Sequence, residues 1–103
     1  MLVKVKKVQK PDDLNWYWSG EVLPKDNVIM FETEEPIKVS DVLGFDSKET
    51  SNVVAILNHS GDEAAIMAAD EHGDGLGMMF DSIVRIKGTI DQALAEAGFI
   101  LAD

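Results

Sequence analysis

Apolar and polar residues alternate along several stretches of this chain, and a period of two commits those stretches to sheet. Val3 and Val5 alternate with Lys4 and Lys6 before Lys6-Lys7 breaks the pattern. Leu14, Trp16, Trp18 and Val22 fall on one face, against Asn15, Tyr17, Ser19 and Glu21 on the other, with Gly20 placed to mark a bulge. Met78, Phe80, Ser82, Val84 and Ile86 share a third such face, opposite Asp81, Arg85 and Lys87. Pro24 to Asn27 is a short connection, and Val28 to Phe31 is a compact apolar strand that makes a hairpin with the 14–22 segment. Val53 to Leu57 is continuous rather than alternating, the pattern of a buried strand. Pro36 punctuates a run of glutamates, Ile37 and Val39 form a brief strand, Ser40 to Gly44 reads as one capped helical turn, and 46–52 as polar loop.

Two segments read as helix. Ser60 and Glu63 have capping-box spacing ahead of an alanine-rich run, and Gly73 can supply the left-handed stop, so the spacing predicts a helix over 61–72. The competing reading makes Ala64 to Ala69 one arm of a hairpin. Thr89 and Gln92 repeat the box, Ile90, Leu94 and Ala97 follow at helical intervals, and Gly98 ends the pattern. Phe99 to Leu101 then returns to the sheet or covers the core. The expected fold is therefore α+β: a mainly antiparallel sheet of five or six strands with two short capped helices on one face. A small, partly closed barrel is the variant.

Composition narrows the function classes. The 103 residues read as a single acidic domain over 1–103, with an apolar fraction of 46% and a formal charge of −10. Like-charge repulsion argues against direct nucleic-acid binding and against an anionic membrane. Cysteine is absent, which removes disulfides, thiol nucleophiles and thiolate metal sites and suits a reducing compartment. The opening MLVKVKKVQK interleaves lysine with valine, unlike a signal peptide, and no apolar run approaches the roughly 20 residues that span a bilayer. The cytoplasm is the expected location.

The charge is unevenly placed. Between Glu49 and Val84 there is no lysine or arginine, while Glu49, Asp62, Glu63, Asp70, Glu71, Asp74, Asp81 and both histidines lie there. Numbered as a calcium loop from Asp70, His72 takes position three, Asp74 five, Gly75 six and Asp81 twelve. Histidine, Gly77 at position eight and a closing aspartate all depart from that template. Asp62 and Glu63 suit the first turn of a helix, whereas Asp70 to Asp74 would sit at its wrong end for the dipole. His59 beside Asp62 and Glu63 has the residue types of acid–base chemistry, but no nucleophile or phosphate-loop motif accompanies it. Trp16 and Trp18 read as core, leaving Tyr17 exposed beside Glu21 as an amphipathic anchor. Lys4, Lys6, Lys7 and Lys10 read as guards on an edge strand, or as the basic pole of a dipole that orients self-association.

The leading functional expectation is a small acidic accessory protein, a noncatalytic interaction or inhibitor-type module that engages a basic protein partner through an acidic face. A second is a small-molecule or divalent-cation-binding domain using the 70–81 loop or a cavity lined by Met30, Met67, Met78 and Met79. A third is a small enzyme using His59 or His72. The candidate partner- or cation-contacting residues are Asp70, Glu71, His72, Asp74, Tyr17 and Glu21. No catalytic residue and no cofactor are assigned, and a homo-oligomer is the second partner expectation.

Overall fold

The computed structural model describes residues 3–40, 47–73 and 82–102. Its frame is a six-stranded sheet in the order β7-β6-β5-β4-β1-β8. The strands are β1 (Val3–Val8), β4 (Val28–Ser40), β5 (Ser47–Leu57), β6 (Glu63–Ala69), β7 (Ser82–Lys87) and β8 (Phe99–Leu101). All neighbours are antiparallel except β1 and β8, which run parallel with Val3 opposite Phe99. Two two-residue strands, β2 (Tyr17–Trp18) and β3 (Glu21–Val22), pair only with each other. One helix, α1 (Ile90–Glu96), crosses between the two sheet edges. It touches both β7 and β8, which are the two edges, so the sheet curls around it into a half-barrel. None of the helices described is long and apolar enough to cross a membrane.

The fold is thus mostly sheet, which corrects the expected α+β architecture with two capped helices. The helix predicted over 61–72 is instead the strand β6, hairpinned to β5 with Leu57 opposite Ala64 and Asn52 opposite Ala69. Ser60 caps nothing. Asn58 holds the connecting loop, its Oδ1 accepting from the amides of Asp62 (3.0 Å) and Glu63 (3.2 Å) and its Nδ2 donating to Asp62 Oδ1 (2.7 Å). Glu63, freed from capping, faces Arg85 across β6 and β7 at 3.4 Å.

The physical reason lies in burial. Ala64, Ala65, Ile66, Ala68 and Ala69 are all buried, as are Val53 to Ile56 on the paired strand. One set of side chains meets the helix side, in a cluster with Val5, Phe31, Leu94 and Phe99. The other set meets Leu14, Leu23, Val28 and Met30 on the opposite face. A strand covered on both faces shows no alternation. Here that run is built of alanine, so it imitates a helix in sequence.

Helix α1 forms as its spacing predicts. Thr89 Oγ1 accepts from the Gln92 amide (3.2 Å), and Gln92 Oε1 accepts from the Thr89 amide (2.9 Å). Ala93 and Leu94 then point into the first cluster, with Ile90 and Ala97 at its border.

Strand β4 runs through Pro36, where a break was expected. Its pairing with β5 is irregular between Glu32 and Ile37, so proline's missing donor costs no ladder bond there. Two buried polar side chains serve this irregularity: Thr33 donates to the Glu35 carbonyl (2.7 Å) and Thr50 to the Ala69 carbonyl. Residues 47–52, expected as loop, belong to β5. Strand β1 is not an edge, because β8 lies outside it. Most of the predicted helical turn at Ser40 to Gly44, and the start of the predicted 78–86 strand, lie outside the described residues.

Ala64 and Ala65 project to opposite faces of the sheet, and both faces are closed. Ala64→Leu and Ala65→Leu are each expected to lower stability by about 1–3 kcal/mol through overpacking. The same change at exposed Ala95 on α1 should stay within about 0.5 kcal/mol. Urea unfolding followed by circular dichroism measures all three.

Candidate functional site

The second face of the sheet is covered by the chain between β1 and β4, and this covering layer carries the candidate surface. Leu14 and Leu23 are its buried anchors, with Trp16 and Trp18 half-buried beside them against Val54, Ile56 and Ala65. The layer's hairpin turns at Ser19-Gly20, whose φ values of 53° and 83° are the paired positive angles of a type I′ turn. A tight turn replaces the expected bulge. It puts Tyr17 opposite Val22 and Trp18 opposite Glu21. Val22 therefore leaves the tryptophan face predicted for it and stands 52% exposed beside Tyr17, itself 59% exposed. Tyr17 and Glu21, expected on one face, lie on opposite faces of the ribbon.

Two lysines, Lys10 half-buried and Lys25 exposed, fasten this layer. Lys10 Nζ donates to the carbonyls of Lys25 and Val28. Lys25 Nζ donates to the carbonyls of Asp12 (3.0 Å) and Leu14 and to Asn15 Oδ1 (3.3 Å). Partial burial holds the Lys10 ammonium below the usual lysine range, with the Asp26 carboxylate opposing that shift. With their cationic heads spent largely on backbone oxygens, the layer's exposed charged side chains include Asp12, Asp13, Glu21 and Asp26. Arg85 is likewise engaged, its guanidinium 4.7 Å from the centre of the Trp18 ring and 3.4 Å from Glu63.

Loops from both ends of β6 border the layer. At one end His59 Nε2 lies 3.0 Å from the Val22 carbonyl and 4.0 Å from Glu21. At the other, the Trp16 indole donates to the Gly73 carbonyl (2.9 Å). Asp70 to Gly73 is a turn: the Asp70 carboxylate accepts from the His72 amide (2.8 Å), and the Gly73 amide donates to the Asp70 carbonyl (3.0 Å). With no helix ending there, no dipole opposes these acids, and Asp70 is placed by turn chemistry. Glu71 and His72 are exposed next to each other, 3.7 Å apart. Asp74 and Asp81 lie outside the described residues.

Of the six candidate residues, the structure thus sets Tyr17 and Glu21 on the hairpin and Asp70, Glu71 and His72 on the neighbouring turn. It joins the two groups through Trp16 and Gly73. The described residues include no group of three or more histidine or acidic side chains arranged to hold a metal ion. The groove between β1 and β4, about 360 Å³, is bordered by neither histidine. The bonding of Lys10 and Lys25 to backbone carbonyls, and the exposure of Val22, were not among the sequence expectations. Pro11-Asp12-Asp13 carried part of the signal, since a turn there sets its acids on the surface.

Comparison with known proteins adds no constraint: no family model matches the chain, and no curated protein or solved structure matches it significantly.

Gly73 closes the contact between turn and layer. Its φ is +86°, and a Cβ there would come within 2.7 Å of Leu14 Cδ2. Gly73→Ala is expected to cost about 1–3 kcal/mol from the left-handed backbone and the crowded leucine. Trp16→Phe, which loses the indole donor to the same residue, should cost about 1 kcal/mol. Denaturant midpoints read by circular dichroism check both.

Proposed function

We propose that this protein is a noncatalytic interaction module whose covering layer engages a basic protein partner. One observation carries the reading: Lys10 and Lys25 spend their ammonium groups on the layer's own carbonyl oxygens, while Asp12, Asp13, Glu21 and Asp26 stay exposed on the same layer as Tyr17 and Val22. Exposed carboxylates of one sign steer a cationic partner toward the surface, and so raise the rate of encounter. An exposed aromatic beside an exposed valine then supplies apolar area that charge alone lacks. The neighbouring Asp62 and Glu71 extend the same sign of charge to the two bordering loops.

The layer is also held firmly enough to act as a surface. Lysine staples, the type I′ turn and the tryptophan contacts fix it to the sheet before any partner arrives, which lowers the ordering cost of binding. The reading does not rest on the histidines: His72 is largely solvated, and His59 Nε2 lies within hydrogen-bonding distance of the Val22 carbonyl.

The test is affinity capture of basic proteins, followed by titration of the purified partner. The fourfold variant Asp12→Asn, Asp13→Asn, Glu21→Gln, Asp26→Asn should weaken binding by about tenfold or more. The paired control Asp91→Asn, Glu96→Gln on α1 should leave it unchanged. Tyr17→Ala should weaken binding at every salt concentration, whereas the charge-dependent part should fade by about half-molar salt. Binding that ignores both salt and the fourfold variant would sink the proposal.

A further inference from the structure

The covering layer stops partway along the sheet, and the sequence changes character where it stops. On the covered face, Val8 lies opposite Met30, and Met30 opposite Val54. Val8, Met30 and Val54 all belong to the cluster under the layer. The next cross-strand pair on that face is Lys6 opposite Glu32, and both side chains are exposed. Beyond them Lys4 and Glu34 are exposed too, and Ile100, 42% exposed, is the β8 partner of Lys4. The uncovered patch therefore has one lysine row on β1, one glutamate row on β4 and an apolar residue at its outer border.

Among the described residues no salt bridge closes between the two rows. Lys6 and Glu32 sit directly opposite, yet the ion pairs found among the described residues are His59 with Glu21, His72 with Glu71 and Arg85 with Glu63. Instead Lys4, Lys6, Glu32 and Glu34 stand around the groove of about 360 Å³. A patch with a positive row beside a parallel negative row is complementary to itself. A two-fold axis along the boundary between β1 and β4 sets the lysine row of one copy on the glutamate row of the other. Aligned packing of two sheets face to face keeps strand directions close enough for such rows to meet.

We infer that this uncovered end of the sheet is an isologous docking surface for a second copy of the same chain, held by Lys4 and Lys6 against the other copy's Glu32 and Glu34. It is separate from the layer assigned above to a basic partner, so either can fail without the other. Charge complementarity chooses the occupant: a purely basic or purely acidic partner would meet one repelling row, whereas a second copy satisfies both.

Sedimentation at low salt, over a range of protein concentrations, is the experiment. The wild-type chain should form a dimer that weakens by about tenfold or more in half-molar salt. Lys4→Glu with Lys6→Glu should give monomer, and so should Glu32→Lys with Glu34→Lys. Mixing these two double variants in equal amounts should restore a dimer containing one of each, distinguishable by a mass tag on one chain. Circular dichroism checks that both variants fold, as expected for four exposed positions. A wild-type chain that stays monomeric throughout would overturn the inference. So would a dimer indifferent to both double variants, or a mixture that remains monomeric and points to a small zwitterionic or peptide ligand in the groove.

Discussion

Everything in this molecule is arranged to keep water from the paired strands β5 and β6. Val53, Val54 and Ala55 on one strand and Ala64, Ile66 and Ala69 on the other have no accessible surface. A two-stranded core of this kind cannot be closed by one covering element, because its side chains leave in both directions. The helix closes one side and the 9–27 segment closes the other. Both covers are small. Their fit depends on the alanines, which let them approach the sheet closely, and on local devices that hold each cover at its ends: the Thr89 capping box for the helix, the lysine staples for the layer.

How much of this was legible follows from the same constraint. Where only one face is covered, as at Val3 to Lys6 or Val84 to Lys87, alternation survives in the sequence and the strand can be read from it. Where both faces are covered the alternation disappears, and an alanine run beside a serine and a glutamate at capping distance imitates a helix. The candidate surface was half readable. Tyr17 stands outward as the tryptophan phase requires, but Val22 does not follow that phase, because Ser19-Gly20 turns the chain instead of bulging it. The roles of Lys10 and Lys25 could not be read at all. Both bond carbonyls distant in sequence, and nothing in the local pattern marks which oxygens the fold will bring near.

The acidic character also acquires a different meaning. A net charge of −10 suggests an acidic object throughout, yet the described cations are divided by task. Lys10 and Lys25 serve the backbone, Arg85 serves Trp18 and Glu63, and Lys4 and Lys6 stand on an otherwise uncovered end of the sheet. What governs the surface is where the cations are withdrawn from it, rather than how many acids the chain contains.

The parallel pairing of β1 with β8 bears on the life of the chain before it is complete. A strand near one end of the sequence is shielded by one near the other, so the intervening chain must be made before the shield can form. Until then β1 is a bare sheet edge whose backbone groups can be claimed by any passing strand. Lys4, Lys6 and Lys7 are the residues that make such an edge unattractive to a neighbouring chain. They protect nothing in the finished sheet's interior, where β8 has taken that place. Their protection belongs to the nascent molecule.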